Sequence, residues 1–464
     1  MVMESTLQNI NFIKFSELYN WSVSHLLGQD FEYNKKFPLV KIGKFLTKNN
    51  NVVNLDNDTI YKRVTVSGNN GGVRLRNTEI GKNIGTKRQF IVKSGQFILS
   101  KIDARNGAMG LIPEDLEGAI VTNDFPTYNV DTTAILPQFL LLITTTKKFI
   151  EFAQTCSSGT TNRQRIDLKK FLDVQIPLPP LNDADAIRQG LETDITQEKL
   201  IEEYNQKLKT AELAKKEAVN KEIEIENYLY KQLGIIRNVA IEEKSGLTFV
   251  KFKDLNDRWD IYKPSILNDA KYELIPFKNL ILKISTGTTP PSARKDYFNG
   301  SVNFYTPTDI GKEIYLYNST RTLTQKAIDD KKARVFYKNT LLFVGIGTIG
   351  KVGIVKNEIA TSNQQITGIV VDEQKVNLEF LFFYINIFRS EITKEQTKTT
   401  IPILNQKGIE QIKIPLPPLN IQKSIAKQLI SMSKAMEDQY NLSEDMNFKA
   451  ILDFENIIFN SDNI

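Results

Sequence analysis

Gln175-Ile-Pro-Leu-Pro-Pro-Leu-Asn182 recurs almost verbatim as Lys413-Ile-Pro-Leu-Pro-Pro-Leu-Asn420, 238 residues further along the chain. Proline fixes its own φ and drives the preceding residue out of the helical region, so both copies must be extended. Each ends in an asparagine, Asn182 or Asn420, suited to cap a helix by accepting a hydrogen bond from a first-turn amide. From Asp183 to Leu233 there is no proline and a single glycine, Gly190. Apolar residues recur there at Ile201, Tyr204, Leu208, Ala211, Ala218, Ile225 and Leu229, an a/d heptad broken by Lys215 and Glu222. Gly234 is suited to end the helix. One helix over Asp183–Leu233 would be ~75 Å long at ~1.5 Å per residue, longer than a lobe of this size. After the second copy comes a similar stripe, Ile425, Leu429, Met432, Met436 and Tyr440, continuing towards Ile458. Neither stripe is apolar all round, so each needs a partner, and the nearest partner is the other helix. Because the linker Ile235 to Val250 is short, the pair is expected to be antiparallel.

Working backwards from the two proline elements, further matches stay in order. Ser158-Gly-Thr-Thr161 pairs with Thr397-Lys-Thr-Thr400, Phe139-Leu140 with Phe380-Leu381, Thr122-Asn123 with Ser362-Asn363, and Gly107-Ala-Met-Gly110 with Gly350-Lys-Val-Gly353. Near the start of each half, Phe15-Ser-Glu-Leu18 leading to Trp21 parallels Phe252-Lys-Asp-Leu255 leading to Trp259. Such collinearity identifies an internal duplication, and 464 residues are ample for several domains. Short β-branched and aromatic runs, Gln89-Phe-Ile-Val92, Gln96-Phe-Ile-Leu99, Thr340-Leu-Leu-Phe-Val344 and Gly368-Ile-Val-Val371, are punctuated by turn residues and read as strands. Pro137 to Gln154 and Leu378 to Lys394 read as helices packed on those sheets. The expected fold is α+β, with two similar mostly-β lobes separated by two long antiparallel coiled-coil spacer helices under an approximate two-fold axis. Its segments are residues 1–175 and 235–413 for the lobes, and 176–234 and 414–464 for the proline elbows with their helices.

The net charge of +6 divides along the same boundaries. Residues 1–182 carry +6 and 235–420 carry +7, whereas 183–234 carry −4 and 421–464 carry −3. Two basic lobes joined by acidic helices point to two nucleic-acid surfaces held apart by a spacer. A coiled-coil scaffold whose basic lobes bind acidic protein partners fits the same charges. Chemistry of its own is disfavoured: one cysteine, Cys156, excludes a disulfide or thiolate zinc cage, and one histidine, His25, argues against zinc or serine-histidine catalysis. No catalytic or metal site is expected. The longest charge-free apolar run, Thr132 to Thr146, is too short to span a bilayer, so a soluble, cytoplasmic protein without membrane contact is expected.

Basic and amide side chains cluster in the lobes' polar loops. Tyr61 to Arg76 places Lys62, Arg63, Arg74 and Arg76 around a turn containing Asn69 and Asn70. Arginine and lysine neutralise phosphates and asparagine pairs with adenine, although a plain hairpin fits the same residues equally well. Lys87, Arg88, Lys101, Arg105 and Asn106 add to this set, and the second lobe offers Arg294, Lys295, Tyr305, Thr306, Thr308, Lys351, Asn363, Gln364 and Gln365. Gly345-Ile-Gly-Thr-Ile-Gly350 satisfies G-x-G-x-x-G, but Lys351-Val-Gly-Ile-Val355 follows where a dinucleotide site needs a helix, so a tight hairpin is expected.

These features together resemble the specificity subunit of type I restriction-modification enzymes along essentially the whole chain. The resemblance rests on the doubled Ile-Pro-Leu-Pro-Pro-Leu, Asp257-Arg-Trp-Asp260, Gly287-Thr-Thr-Pro-Pro-Ser292, the glycine turn pair and the Ser-Gly-Thr-Thr stretch. The first lobe departs from the pattern, with Trp21 outside an Arg-Trp-Asp context and no Thr-Pro-Ser turn. The resemblance implies two target-recognition domains that read the halves of a bipartite, asymmetric site in double-stranded DNA. It implies two methylation subunits, which hold S-adenosylmethionine and methylate adenine, and restriction subunits that use ATP and Mg²⁺, so no cofactor is expected in this chain. The helix residues Ile201, Tyr204, Leu208, Ile225, Leu229, Ile425, Leu429, Met432 and Met436 are then expected to form the spacer and the subunit-docking surface.

Overall fold

Both proline elements begin as short strands in a computed structural model, which describes residues 33–158, 165–236, 265–311, 313–394 and 402–459. Gln175–Pro177 pairs antiparallel with Leu39–Lys41, Leu39 facing Pro177. Lys413–Pro415 pairs antiparallel with Leu274–Pro276, Leu274 facing Pro415. Proline lacks the N–H that a central ladder needs, so these ladders stay short and two-stranded. The Phe15–Trp21 and Phe252–Trp259 pair, His25, the Asp257–Asp260 motif and most of the two Thr-Thr stretches lie outside the described residues.

The chain divides into two units, residues 1–213 with 442–464, and residues 214–441. In unit one a four-stranded antiparallel sheet runs in the order Leu46–Lys48, Thr127–Val130, Phe97–Leu99, Met109–Leu111. A five-stranded sheet runs Val52–Asn54, Arg88–Ile91, Ile120–Val121, Ile60–Val66, Val73–Ile80. Unit two repeats the first of these as Ile281–Thr286, Ile366–Val371, Leu341–Val344, Val352–Val355 and adds Tyr315–Leu316 at the edge. Its other sheet runs Arg321–Leu323, Phe298–Tyr305, Ile359–Ser362, Val335–Tyr337. The central hairpins share one register, Ile98 facing Gly110 in unit one and Leu342 facing Gly353 in unit two. The two halves of the sequence therefore build the same core sheet and differ in what surrounds it.

The apolar helical stretches each break once. Pro137–Thr145 and Lys147–Thr155 are separate helices, because Thr146 is extended and its hydroxyl accepts from the Phe149 amide, capping the second. Leu378–Ile387 and Arg389–Ile392 are likewise divided at Phe388. The first pair packs on unit one's core, where Phe97, Phe139, Phe149 and Phe171 are fully buried.

The expected 51-residue helix is also two helices. Asn182 caps as expected, its Oδ1 accepting from Asp185 N at 3.0 Å, but the helix it starts is only Asp183–Arg188. Gly190 then turns left-handed at φ 67°, and its N–H and that of Leu191 close the end on Ile187 and Ala186 carbonyls. The long helix is Gln197–Leu233, 37 residues, or ~55 Å at ~1.5 Å per residue. Gly234, at φ 68°, ends it. The second long helix is Leu419–Phe459, so Asn420 lies inside the first turn and is not its cap.

Each unit holds a piece of both long helices. In unit one Ile201 and Tyr204 pack on the core that includes Phe454 and Ile458, and Lys207 Nζ meets Asp453 at 2.6 Å. In unit two Ile225, Leu229 and Leu233 share a core with Ile425 and Leu429. Early residues of one helix thus meet late residues of the other, the antiparallel sense.

Candidate nucleic-acid interface

The basic hairpin of unit one is Ile60–Val66 paired with Val73–Ile80. Arg63 faces Asn77 and Val64 faces Leu75, so Arg76 is the extra residue of a bulge. Arg74 and Arg76 are exposed. Asn69 and Asn70 both take positive φ, 54° and 56°, which asparagine tolerates in a tight turn. The tip rests on the loop after the central strand: Asn69 N–H donates to Asn106 O at 2.6 Å, and Asn70 Nδ2 donates to Thr145 O at 3.0 Å. A Cβ on Gly107 would lie 2.4 Å from Asn70 Oδ1. Asn70 is exposed, and its amide ties the tip to the end of the first lobe helix. Asn69 stays exposed there.

The hairpin carries Lys62, Arg63, Arg74 and Arg76, and its tip meets the Arg105–Asn106 turn through the Asn69–Asn106 bond. Lys62 Nζ donates to Asp115 O at 2.8 Å. Glu79 sits below the usual carboxylate range because the Asn83 amide and the Ile80 N–H donate to it, with Arg63 adding its charge. Arg88 opens a strand of the same sheet and lies over the Phe90 ring at 5.8 Å, and Lys87, just before that strand, places Nζ on Gly81 O at 3.0 Å.

Beside this hairpin, three segments meet at Lys101. Its N–H donates to Asp124 O at 2.9 Å, and its carbonyl accepts from Ile166 N at 2.8 Å. Arg165 pairs with the Asp124 carboxylate at 3.1 Å. Desolvation lowers the Lys101 pKa, Asp124 opposes the shift, and Lys48 and Arg165 reinforce it. Lys48, Lys101 and Arg165 thus lie near one another with Asp124 as the carboxylate paired to Arg165, a net positive set that favours an anion.

Unit two repeats this junction bond for bond with other side chains. Gly345 N–H donates to Gln365 O at 2.8 Å, and Leu404 N–H donates to Gly345 O at 2.8 Å. Where unit one has Lys101, Asp124 and Arg165, unit two has Gly345, Gln365 and Ile403. A cleft of about 460 Å³ opens here, lined by Thr286, Gln364, Gln365, Thr367, Gln406 and Lys407 among others. Gln406 Nε2 donates to Thr286 Oγ1 at 2.9 Å, Thr289 Oγ1 donates to Gln364 Oε1, and Asn363 Nδ2 donates to Gln365 Oε1 at 3.0 Å. Amides and hydroxyls of this kind can read base edges. Lys48, Arg165, Thr286, Gln406 and Lys407 were not singled out from sequence. Arg165 and Ile403 do stand 238 residues apart, the spacing of the proline elements, so the repeat offset was the available signal.

One expected contact is corrected. Tyr305 is fully buried and its hydroxyl donates to Asn357 Oδ1 at 2.9 Å; burial raises its pKa, and it belongs to the core. Thr306 closes a capping box with Asp309, its Oγ1 donating to Asp309 Oδ2 at 2.7 Å. Thr308 is exposed beside it. Arg294 forks onto Asp296 at 2.9 and 2.7 Å and stacks 4.6 Å from the Tyr297 ring centre, and Lys326 shares the same carboxylate at 2.8 Å. Lys295 is exposed, and Lys351 is half-buried against Gly311. The G-x-G-x-x-G stretch is the expected hairpin, with Gly347 and Gly350 both at φ 83° between Leu341–Val344 and Val352–Val355.

The helix residues expected at a docking surface face inwards. Ile225, Leu229, Ile425 and Leu429 are buried, Met432 and Met436 pack at the edge of the same core, and Ile201 and Tyr204 pack on the core of unit one. Leu208 is half-buried. The large apolar residues left outside on these helices include Leu213, Val219, Ile223 and Phe448. Among the described residues no acidic, histidine and cysteine cluster could hold a metal ion, and no helix is long and apolar enough to cross a membrane.

Residues 30–210 and 277–441 match the family described as the type I restriction modification DNA specificity domain. The MjaIX specificity subunit of a type I restriction enzyme from Methanocaldococcus jannaschii is 29% identical over 181 residues, 38% of this chain and 41% of that protein. The putative MjaX specificity subunit from the same organism is 24% identical over 311 residues, 66% of this chain and 62% of that one. The match spans less than two thirds of either relative. A solved structure, described by its authors in terms of complex assembly and conformational transition of the type I R-M system, covers 91% of this chain and 99% of its own, with 16% identity and a TM-score of 0.56. At that identity the likeness is one of fold.

Proposed function

Because this chain belongs to the type I restriction modification DNA specificity family, we propose that its two lobes read the two halves of a bipartite, asymmetric site in double-stranded DNA. The observation that carries this reading is the shared junction: the same backbone bonds hold Lys101, Asp124 and Arg165 in one unit and Gly345, Gln365 and Ile403 in the other. One frame with two sets of side chains is what two different half-sites require, since phosphate contacts set position and side chains at base edges set sequence. In unit one the cations around Lys101 and the Arg74–Arg76 hairpin bind phosphates. In unit two the amides around the Gly345 cleft face bases.

Two methylation subunits dock on the outer faces of the long helices and hold S-adenosylmethionine, and each methylates the exocyclic nitrogen of an adenine flipped from the duplex. Restriction subunits using ATP and Mg²⁺ join that complex in the cytoplasm. This chain itself supplies recognition and holds no cofactor.

The test is an exchange. Replacing residues 1–175 with the first lobe of another family member, in a host that supplies the methylation subunits, changes one methylated half-site and leaves the other half and the gap intact. Sequencing of methylated adenines reads the outcome, and a change in both half-sites, or in neither, overturns the assignment. Lobes that instead bind acidic proteins leave no methylation pattern that follows the exchange.

A further inference from the structure

Two fully buried glutamines, Gln197 and Gln422, make the same set of bonds in the two units. Gln197 Oε1 accepts from Leu136 N at 2.8 Å; Gln422 Oε1 accepts from Asn377 N at 2.9 Å. Gln197 Nε2 donates to Pro179 O at 2.8 Å and Ala134 O at 3.3 Å; Gln422 Nε2 donates to Pro417 O at 2.7 Å and Lys375 O at 3.1 Å. The backbone N–H of each reaches the next proline, Gln197 to Pro180 O at 2.9 Å and Gln422 to Pro418 O at 3.0 Å. Leu136 and Asn377 are the N-cap residues of the lobe helices Pro137–Thr145 and Leu378–Ile387. One side chain in each unit therefore ties the lobe, the proline elbow and the first turn of the long helix.

Chemistry restricts this place to a neutral amide. The second proline of each elbow has no N–H, so nothing in the backbone there can bond across, and the carbonyl before it needs a donor from elsewhere. A carboxylate would face two carbonyls without a donor, and an aliphatic side chain would orphan two carbonyls and an amide in the interior. The sequence contexts differ, since sixteen residues separate Pro180 from Gln197 whereas three separate Pro418 from Gln422. The same glutamine geometry is reached across both.

We propose that Gln197 and Gln422 are positioning residues that set the angle and rotational phase of each lobe on its long helix, and through it the gap recognised between half-sites. The gap statement rests on the bipartite reading above; the tie itself does not. The proline elbow alone leaves rotation about the backbone bonds flanking it, and the glutamine removes that freedom without touching any polar loop of the lobe.

The test uses Gln422→Met and Gln197→Met in the full chain with its methylation subunits. Hydrogen exchange of the Asn377 or Leu136 amide reads the tie directly, with exchange expected to rise about tenfold or more; unchanged protection overturns the tie whatever the DNA site is. Sequencing of methylated adenines reads the positioning, with unchanged half-sites and new methylation at gaps one base pair shorter or longer. A wild-type gap, with full or reduced occupancy, overturns it. Gln197→Glu and Gln422→Glu keep the shape and the acceptor for the Leu136 or Asn377 N–H but lose the donors to the proline and lobe carbonyls, so they are expected to shift the gap as the methionine variants do, and they serve where those fail to fold; a wild-type gap in them overturns the positioning role. A wild-type pattern that is not bipartite would instead overturn the reading of the function, leaving hydrogen exchange to judge the tie.

Discussion

Lys101 and Gly345 hold the same position in the two units: each follows the central strand, each donates its N–H to a loop carbonyl, Asp124 or Gln365, and each accepts from the segment after the lobe helices, Ile166 or Leu404. A half-buried lysine stands in one and no side chain at all in the other. At Gly345 a Cβ would lie 2.8 Å from Leu404 O, so glycine is kept by the close backbone and the cleft beside it stays open. Lys101→Ala should weaken DNA binding and lower the slope of log affinity against log salt by about one phosphate contact. Titration of duplex DNA at several salt concentrations checks this, and methylation directed by the other half-site should keep its sequence.

The Asn69–Asn70 tip separates anchoring from binding. Asn70→Gly keeps the left-handed turn and deletes the amide, so a loss of about 1 kcal/mol in stability is expected, with the DNA salt slope unchanged. Arg74→Ala and Arg76→Ala should do the reverse, leaving thermal unfolding in place and lowering the salt slope. Calorimetry and DNA titration on the same three variants distinguish the roles.

What sequence alone made legible was the repeat, because prolines, paired glycines and strand runs constrain backbone directly. The lobe sheets, the elbows and the central hairpin over Gly345–Gly350 followed from that. The break in the first long helix was less visible: the apolar seam starts at Ile201, beyond it, and Asn182 caps a real but short helix. Gly190 with Thr193 and Thr196 was the signal. For the interface, residue type placed cations in loops but said nothing of partners. Arg294 beside Asp296, Asn70 beside Gly107 and Tyr305 beneath Asn357 are all set by side chains distant in sequence or by a local carboxylate whose geometry no pattern reveals.

Tyr305→Phe removes a buried hydroxyl and leaves the recognised sequence alone. The expected cost is about 1 kcal/mol, the ordinary worth of one such bond. Thermal unfolding measures the cost, and an altered half-site in the methylation pattern would return Tyr305 to the interface.

Asp296 gives a pH-dependent signature. Hydrogen bonds from Arg294 and then Lys326 hold its carboxyl below the usual range. A depressed folded pKa contributes stability that is present above the unfolded value, about 4, and is lost as the pH falls through the folded one. Asp296→Asn should therefore lower the melting temperature of unit two slightly at pH 7, and the difference should shrink as the pH falls below about 4. Melting curves across that range check the sign, and the effect should be weaker in high salt because the pair is exposed.

The segment between Pro180 and Gln197 is an insertion that the second half lacks. Its short helix is held largely by its own bonds: Asp185 accepts from Leu181 N at 3.0 Å and Gln189 Nε2 at 2.8 Å and pairs with Arg188, and Leu191 N–H returns to Ala186 O. Ile187 is 79% exposed, and the segment's contacts with the core are small ones, the buried Ala186 and the partly buried Ile195. Lys199 reaches Asp183 at 2.8 Å, an exposed pair of small worth. Gln197, by contrast, reaches the elbow and the lobe helix by bonds that Gln422 reproduces with only three residues between it and Pro418. Replacing residues 181–196 with the Leu-Asn-Ile that stands at 419–421 should then leave unit one folded, with its melting temperature within a few degrees and the Leu136 amide still protected from exchange. Loss of that protection would mean that the insertion, and not the glutamine, carries the elbow of the first half.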